Sequence, residues 1–257
     1  MVVMAENHQK PRFAEEGAYF LGILFMALGV ACVSCSNFGY SMIVAPVYLI
    51  FTKLGGMLSF GTVEYLFQGF LLVLMCILVR RFRWQYLFSF VTAVIYGYTF
   101  DLALFVMGHV PSTALWVRIL LFVLGTGCIS VSVALFVHTY LAPEVYELFV
   151  RELARIYHKE FGYVKLRYDC ISCAASILLS VILFGGGVFE HLSVHAFLEA
   201  VVSGYLLEGI GIGTIVAALV NGPLITRCSV WLETHFTFTQ NAALKRYLAV
   251  SPAENQG

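Results

Sequence analysis

Leu28-Gly29-x-x-Cys32-x-Ser34-x-Ser36 returns 96 residues later as Leu124-Gly125-x-x-Cys128-x-Ser130-x-Ser132. Five of the nine positions are identical without a gap, where chance in an apolar background gives roughly one. Further matches follow in the same order. Ala45-Pro46, ahead of Tyr48 and Phe51, returns as Ala142-Pro143 ahead of Tyr146 and Phe149, at an offset of 97. Phe60-Gly61-x-Val63 returns as Phe161-Gly162-x-Val164, at an offset of 101. A weaker match sets Gly97 against Gly222, at an offset of 125. The chain therefore reads as one unit written twice. A duplicated set of membrane helices is a common way to build a secondary transporter.

The composition says which solvent these units face. Apolar residues make up 60% of the chain and charged residues 12%, and the mean hydropathy is +0.87. A soluble domain carries about 25% charged residues and about 45–50% apolar ones. The net charge is zero, so no basic field points to nucleic acid. The polar stretch from Met1 to Glu16 has no apolar run ending at a small-residue cleavage site, so no cleaved signal peptide is expected.

About 20 apolar residues cross the hydrocarbon core as a helix. Six stretches qualify, at roughly 18–36, 62–79, 86–107, 116–138, 170–186 and 202–225. With six spans, Lys10 and Arg12, the Arg80–Arg83 cluster, the stretch Arg151 to Arg167, and Arg227 with Lys245 and Arg246 all fall on one side. Lys53, Arg118, Glu190 and Glu199 fall on the other. Cytoplasmic loops collect Lys and Arg, so both termini are expected in the cytoplasm. Each copy then holds three spans. An odd number forces the second copy to enter from the opposite face, which is an inverted-topology repeat. The expected fold is an all-α membrane protein, six transmembrane helices as two inverted three-helix repeats, plus an amphipathic cytoplasmic helix. Residues 1–17 form a cytoplasmic tail, 18–108 the first repeat, 116–226 the second and 227–257 a cytoplasmic C-terminal tail. The extra length of the second copy, between Gly185 and Glu208, reads as an external hairpin.

The amphipathic helix is expected over 143–158. Val145, Leu148, Phe149, Leu153 and Ile156 follow helical spacing, while Glu144, Glu147, Arg151, Glu152 and Arg155 fill the other face. Glu147 and Arg151 are spaced to pair, and Pro143 suits a first turn. The pattern fits a helix lying along the cytoplasmic surface, where it would also offer a partner a docking face. Its counterpart, Pro46 to Leu54, is nearly all apolar and suits a short helix dipping into the outer leaflet.

Polar groups in hydrocarbon are costly, so each is a candidate for function. Asn37-Phe38-Gly39 ends the first span and can expose backbone groups to a cavity, or simply form a loop. Glu64 and Gln68 lie one turn apart on the second span, and the repeat sets them against Lys165 and Asp169. A polar pair recurring in both copies suggests a site lining the repeat axis, though Glu64 also fits a helix cap at the headgroups. Asp101 lies within the third span, and Asn221-Gly222-Pro223 occupies the corresponding part of the sixth. A carboxylate at that depth must pair, protonate or face water. His138, near the end of the fourth span, is a candidate proton relay or a loop-bonded histidine. The candidates for substrate binding or ion coupling are thus Asn37, Glu64, Gln68, Asp101, Asp169 and Asn221.

Other patterns carry less. Cys32/Cys35 and Cys170/Cys173 are Cys-x-x-Cys pairs, but both lie inside spans without flanking His, where Cys serves as a small packing residue. Gly209, Gly211 and Gly213 follow no strand, and their spacing suits close helix packing. No metal or cofactor is expected. No nucleophile elbow, Walker motif or His-Glu-x-x-His occurs, so no catalytic constellation points to an enzyme.

Asn37-Phe38-Gly39, Ala45-Pro46, Phe60-Gly61 with Glu64 and Gln68, Phe88-Ser89-Phe90-Val91-Thr92-Ala93 with Gly97 and Asp101, His138-Thr139-Tyr140, and Gly211-Ile212-Gly213-Thr214 through Asn221-Gly222-Pro223 together resemble the YczE/YitT-type bacterial multi-pass membrane proteins. The similarity runs over about residues 18 to 230. It implies a six-helix protein of the bacterial plasma membrane and names no substrate.

The reading these features favour is a small secondary transporter of a cationic or zwitterionic solute, with proton coupling through Asp101 or Glu64. The alternative is a membrane solute-binding subunit that relies on a separate energising partner. The expected partners are the lipid bilayer and a small solute, and a homodimer remains open.

Overall fold

The computed structural model describes residues 10–55, 57–58, 60–107, 114–185 and 209–250. Nine α-helices lie among the described residues: α1 (Glu15–Ser36), α2 (Ala45–Lys53), α3 (Phe60–Val79), α4 (Phe88–Met107), α5 (Leu115–Val137), α6 (Val145–Ile156), α7 (Phe161–Phe184), α8 (Ile212–His235) and α9 (Ala242–Leu248). Six of them (α1, α3, α4, α5, α7 and α8) are long and apolar enough to cross a membrane, α4 counted with the one-turn 3₁₀ segment that precedes it. The chain is a multi-pass, all-helical membrane protein. Two short strands, β1 (Arg12–Ala14) and β2 (Thr237–Thr239), pair in parallel and tie the start of α1 to the end of α8.

Lipid is as apolar as a leucine side chain, so close packing rather than water exclusion holds spans together, and small residues permit it. The recurring Leu-Gly-x-x-Cys stretch does this. A methyl group on Gly29 would lie 2.8 Å from the carbonyl oxygen of Gly125, and one on Gly125 would lie 2.7 Å from that of Gly29. The two copies of the motif thus cross each other at their glycines and make α1 and α5 the central pair. Ser132 adds a hydrogen bond from its Oγ to the carbonyl of Gly22 at 2.6 Å.

Around this pair, α4 packs on α1 and α8 on α5. The short helix α2 packs on α3 and α7, and α6 packs on the same two spans. α7 and α8 meet along a tight seam. A methyl group on Gly162 would lie 2.7 Å from the carbonyl of Gly222, and one on Gly222 would lie 2.6 Å from that of Gly162. α3 and α4 have no such seam: a methyl group on Gly61 or on Gly97 meets nothing within 4 Å.

Three features differ from expectation. The fifth span begins at Phe161, not near 170, because Lys165 and Asp169 neutralise each other inside it at 3.3 Å. The sixth runs over Ile212–His235 rather than 202–225, starting after Gly209 (φ +70°) and the extended Gly211. The external hairpin expected before it, with Glu190, Glu199 and Glu208, lies outside the described residues.

The third difference is α6. Its apolar face packs as its spacing predicts, Val145, Tyr146, Leu148 and Phe149 joining Leu71, Leu72 and Met75 of α3 in one core cluster. Its polar face is not turned to water. Glu147 and Glu152 are both buried, as is Glu144 just ahead of the helix. Glu152 accepts hydrogen bonds from Tyr86 and from Arg155, and Glu147 from Lys165. Arg151 does not pair with Glu147; its Nη1 donates to the carbonyls of Thr139 and Leu141, both at 3.1 Å. α6 is packed against α3 and α7, not laid along a surface.

Candidate functional site

Where α3, α6 and α7 meet, the polar residues of the two copies converge. Glu64 is the fifth residue of α3 and Lys165 the fifth of α7, and Gln68 and Asp169 follow one turn later on each. Gln68 Nε2 donates to Glu64 Oε1 at 3.1 Å, and the Tyr146 hydroxyl donates to the same oxygen at 2.7 Å. On the other side Lys165 Nζ donates to Glu147 Oε1 at 3.1 Å and lies 3.3 Å from Asp169 Oδ1. Glu144 is within electrostatic reach of both groups, interacting with Glu147, Glu64 and Lys165. The Tyr96 hydroxyl of α4 is in reach of Glu144, Glu64 and Glu147.

Gln68, Glu144, Glu147, Lys165 and Asp169 are all buried, and Glu64 is partly so. Four carboxylates therefore face one ammonium group. Burial pushes the pKa of Glu144 well above the ordinary carboxylate range, and the charges of Glu147 and Glu64 push it the same way, with Lys165 opposing. With Asp169 Oδ1 held by Lys165, the polar atoms of the cluster left without a partner are Glu64 Oε2, Gln68 Oε1, Glu144 Oε1 and Asp169 Oδ2. An unpaired buried acceptor costs about 1–3 kcal/mol. Sites that retain such atoms are candidates for binding. Among the described residues, no three His, Cys, Asp or Glu side chains converge closely enough to hold a metal ion.

Of the candidates read from sequence, Glu64, Gln68 and Asp169 come together here. Asn37, Asp101, Asn221 and His138 do not. Asn37 ends α1 in the left-handed region (φ 54°), and its carbonyl accepts from Arg118 Nη2 at 2.6 Å. The backbone freed after it is bonded to the start of α8, by Gly213 N to the Phe38 carbonyl at 2.9 Å and Tyr40 N to the Gly209 carbonyl at 3.0 Å. Asp101 is exposed on α4. Asn221 is buried in α8 with Oδ1 unpartnered, one turn before Ile225, which packs against Tyr96, Tyr19 and Phe136. His138 Nε2 is 2.9 Å from Ser229 Oγ, its ring stacks on Phe238 with centroids 4.7 Å apart, and burial lowers its pKa.

Sequence reasoning missed Glu144, Tyr146 and Glu147. The available signal was Lys165 itself: a cation five residues into a span needs an anion from another element, and α6 precedes it with two acids on one turn.

Residues 13–230 match a family described as a family of unknown function (DUF6198). The chain belongs to this DUF6198 family. No curated protein and no solved structure matches it. The part that matches DUF6198 contains the whole cluster, from Glu64 to Asp169, and both glycine crossings.

Proposed function

We propose that this protein is a small secondary transporter of a cationic or zwitterionic solute, working by alternating access in a bacterial plasma membrane with both termini cytoplasmic. The observation that carries the reading is the buried, charge-unbalanced cluster at the junction of α3, α6 and α7. Isolated polar packing would leave neither an excess of three carboxylates over cations nor a row of unpartnered oxygens. Transporters of the inverted-repeat type hold their sites where the two copies meet, and this cluster joins corresponding turns of each copy.

The helix pairings support the inverted repeat. Exchanging α1 with α5, α2 with α6, α3 with α7 and α4 with α8 turns each packed pair of these helices into another packed pair, with two exceptions, the smaller being the contact of α4 with α6. The larger exception is the α7–α8 seam, which has no packed counterpart between α3 and α4. A site at a repeat junction opens to one side when one copy is parted and the other is closed, and to the other side when the two exchange. In this reading the α3–α4 side is the open one. In the alternate state Gly61 packs on Gly97 as Gly162 packs on Gly222. Asp101 then belongs to the gate and not to the site, since it corresponds to Thr226, which borders Gly162 in the closed seam.

The test is uptake by the purified chain alone in liposomes, screened over amines and amino acids with and without a proton gradient. Uptake lost on Glu64→Gln supports the reading. Solute binding without any transport, together with co-purification of an ATPase, would replace it with the capture-subunit alternative. That alternative has less to stand on, because the polar face assigned as its docking surface at 143–158 is largely buried and only 156–160 is exposed.

A further inference from the structure

We infer that the cluster binds an organic cation with several N–H donors, of the ammonium or guanidinium class, in preference to a zwitterion or a metal ion. The inference rests on the proposed site, and it narrows the solute.

Three observations carry it. The unpartnered atoms in the cluster are oxygens, each an acceptor once its carboxyl is ionised: Glu64 Oε2, Glu144 Oε1, Asp169 Oδ2, and Gln68 Oε1, whose amide nitrogen is already donating to Glu64. A ligand that satisfies them must bring donors. Next, the cluster's one cation is fully engaged. Lys165 lies 3.1 Å from Glu147 and 3.3 Å from Asp169, so nothing in the cluster remains to hold the carboxylate of an amino acid. Arg151 has unpartnered donors, but its charged neighbour is Glu152 and its Nη1 is on the Thr139 and Leu141 carbonyls. Lastly, the carboxylates do not converge as a metal site requires. Dispersed acceptors suit a cation whose N–H groups point in several directions, as guanidinium does. The Tyr146 and Phe67 rings, with centroids 6.4 Å apart, add the aromatic faces that organic cations favour.

The experiment is equilibrium binding to the full chain purified in detergent at pH 8, with methylguanidinium, ethylammonium, tetramethylammonium, alanine and magnesium as probes. Methylguanidinium and ethylammonium are expected to bind. Tetramethylammonium, which has the charge and no donors, and alanine, which adds a carboxylate, are expected to bind about tenfold more weakly, the cost of one charge-assisted hydrogen bond. Glu64→Gln and Glu144→Gln are each expected to weaken methylguanidinium by a similar factor. A melting temperature at or above that of the natural protein for either variant excludes misfolding as the cause. Alanine or magnesium binding as tightly as ethylammonium overturns the inference, as does tetramethylammonium matching methylguanidinium. So does a complete lack of binding by all five probes, which leaves protons as the ligand. Cation binding without transport would retain the inference and remove the transporter reading. Transport of a zwitterion with no binding of simple cations would do the reverse.

Discussion

At Glu144 burial and the charges of Glu147 and Glu64 act in one direction, so the folded state holds this carboxyl protonated at a pH where the unfolded chain has released the proton. The sign follows from linkage. A raised pKa contributes stability that is complete below the unfolded value, about 4.3 for Glu, and is lost as pH rises through the folded value. Glu144→Gln removes that loss. The variant is expected to melt a few degrees above the natural protein at pH 8, for a gain of about 1–3 kcal/mol, and together with it at pH 4. A melting temperature at pH 8 no higher than the natural protein's would mean that Glu144 has a partner which compensates its charge. The same titration governs ligand. Glu64 on α3, Glu147 and Tyr146 on α6, Lys165 on α7, Tyr96 on α4 and Tyr19 on α1 all interact electrostatically with Glu144, and protonating it removes one negative charge from the cluster. Methylguanidinium affinity is therefore expected to fall as pH is lowered through this titration. The same pH dependence of affinity in the Glu144→Gln variant would remove Glu144 from the binding site. Lys165 acts oppositely. Lys165→Met strands two buried carboxylates, at a cost of about 3–5 kcal/mol. Adding Glu147→Gln and Asp169→Asn should recover most of it in thermal unfolding. Failure of that rescue would mean that Lys165 packs rather than compensates charge.

The helices themselves were legible in sequence where one physical effect dominated. Gly29 and Gly125 repeat because two spans can cross closely only at small residues, and Gly29→Leu or Gly125→Leu is expected to lower the melting temperature and yield by forcing that crossing apart, at a cost of about 1–3 kcal/mol or more each. Stable, monodisperse protein from either variant would contradict the close crossing. Legibility failed where two elements share a cost. Hydropathy delayed the fifth span to 170 because Lys165 and Asp169 count against it singly, and their pairing with each other and with Glu147 is invisible within one helix. The amphipathic pattern of α6 was real, but spacing alone cannot distinguish a polar face that meets water from one that meets a buried lysine. Asp101 drew attention because it stands alone in a span. Glu144 did not, because it was counted among the charges of a surface helix.

Across the whole molecule the two copies differ in one place that matters for transport. Gly162 and Gly222 are in contact, while Gly61 and Gly97 face open space. Bulk added at the two pairs should therefore act in different ways. Gly162→Leu and Gly222→Leu drive a side chain into the opposing backbone and are expected to lower expression and melting temperature. The first side-chain carbon of Gly61→Leu or Gly97→Leu meets nothing within 4 Å, and replacing a helical glycine contributes up to about 1 kcal/mol in their favour. These two variants are expected to fold, to melt at or above the natural temperature and to bind methylguanidinium normally. On the alternating-access reading they should nonetheless lose most of their uptake in liposomes, because the α3–α4 seam can no longer close. That combination of normal stability, normal binding and lost transport is difficult to obtain from a static binding protein or from general damage. Uptake at the natural rate by Gly97→Leu would rule out closure of α4 on α3 as a step, and the unequal seams would then be a fixed asymmetry between the copies.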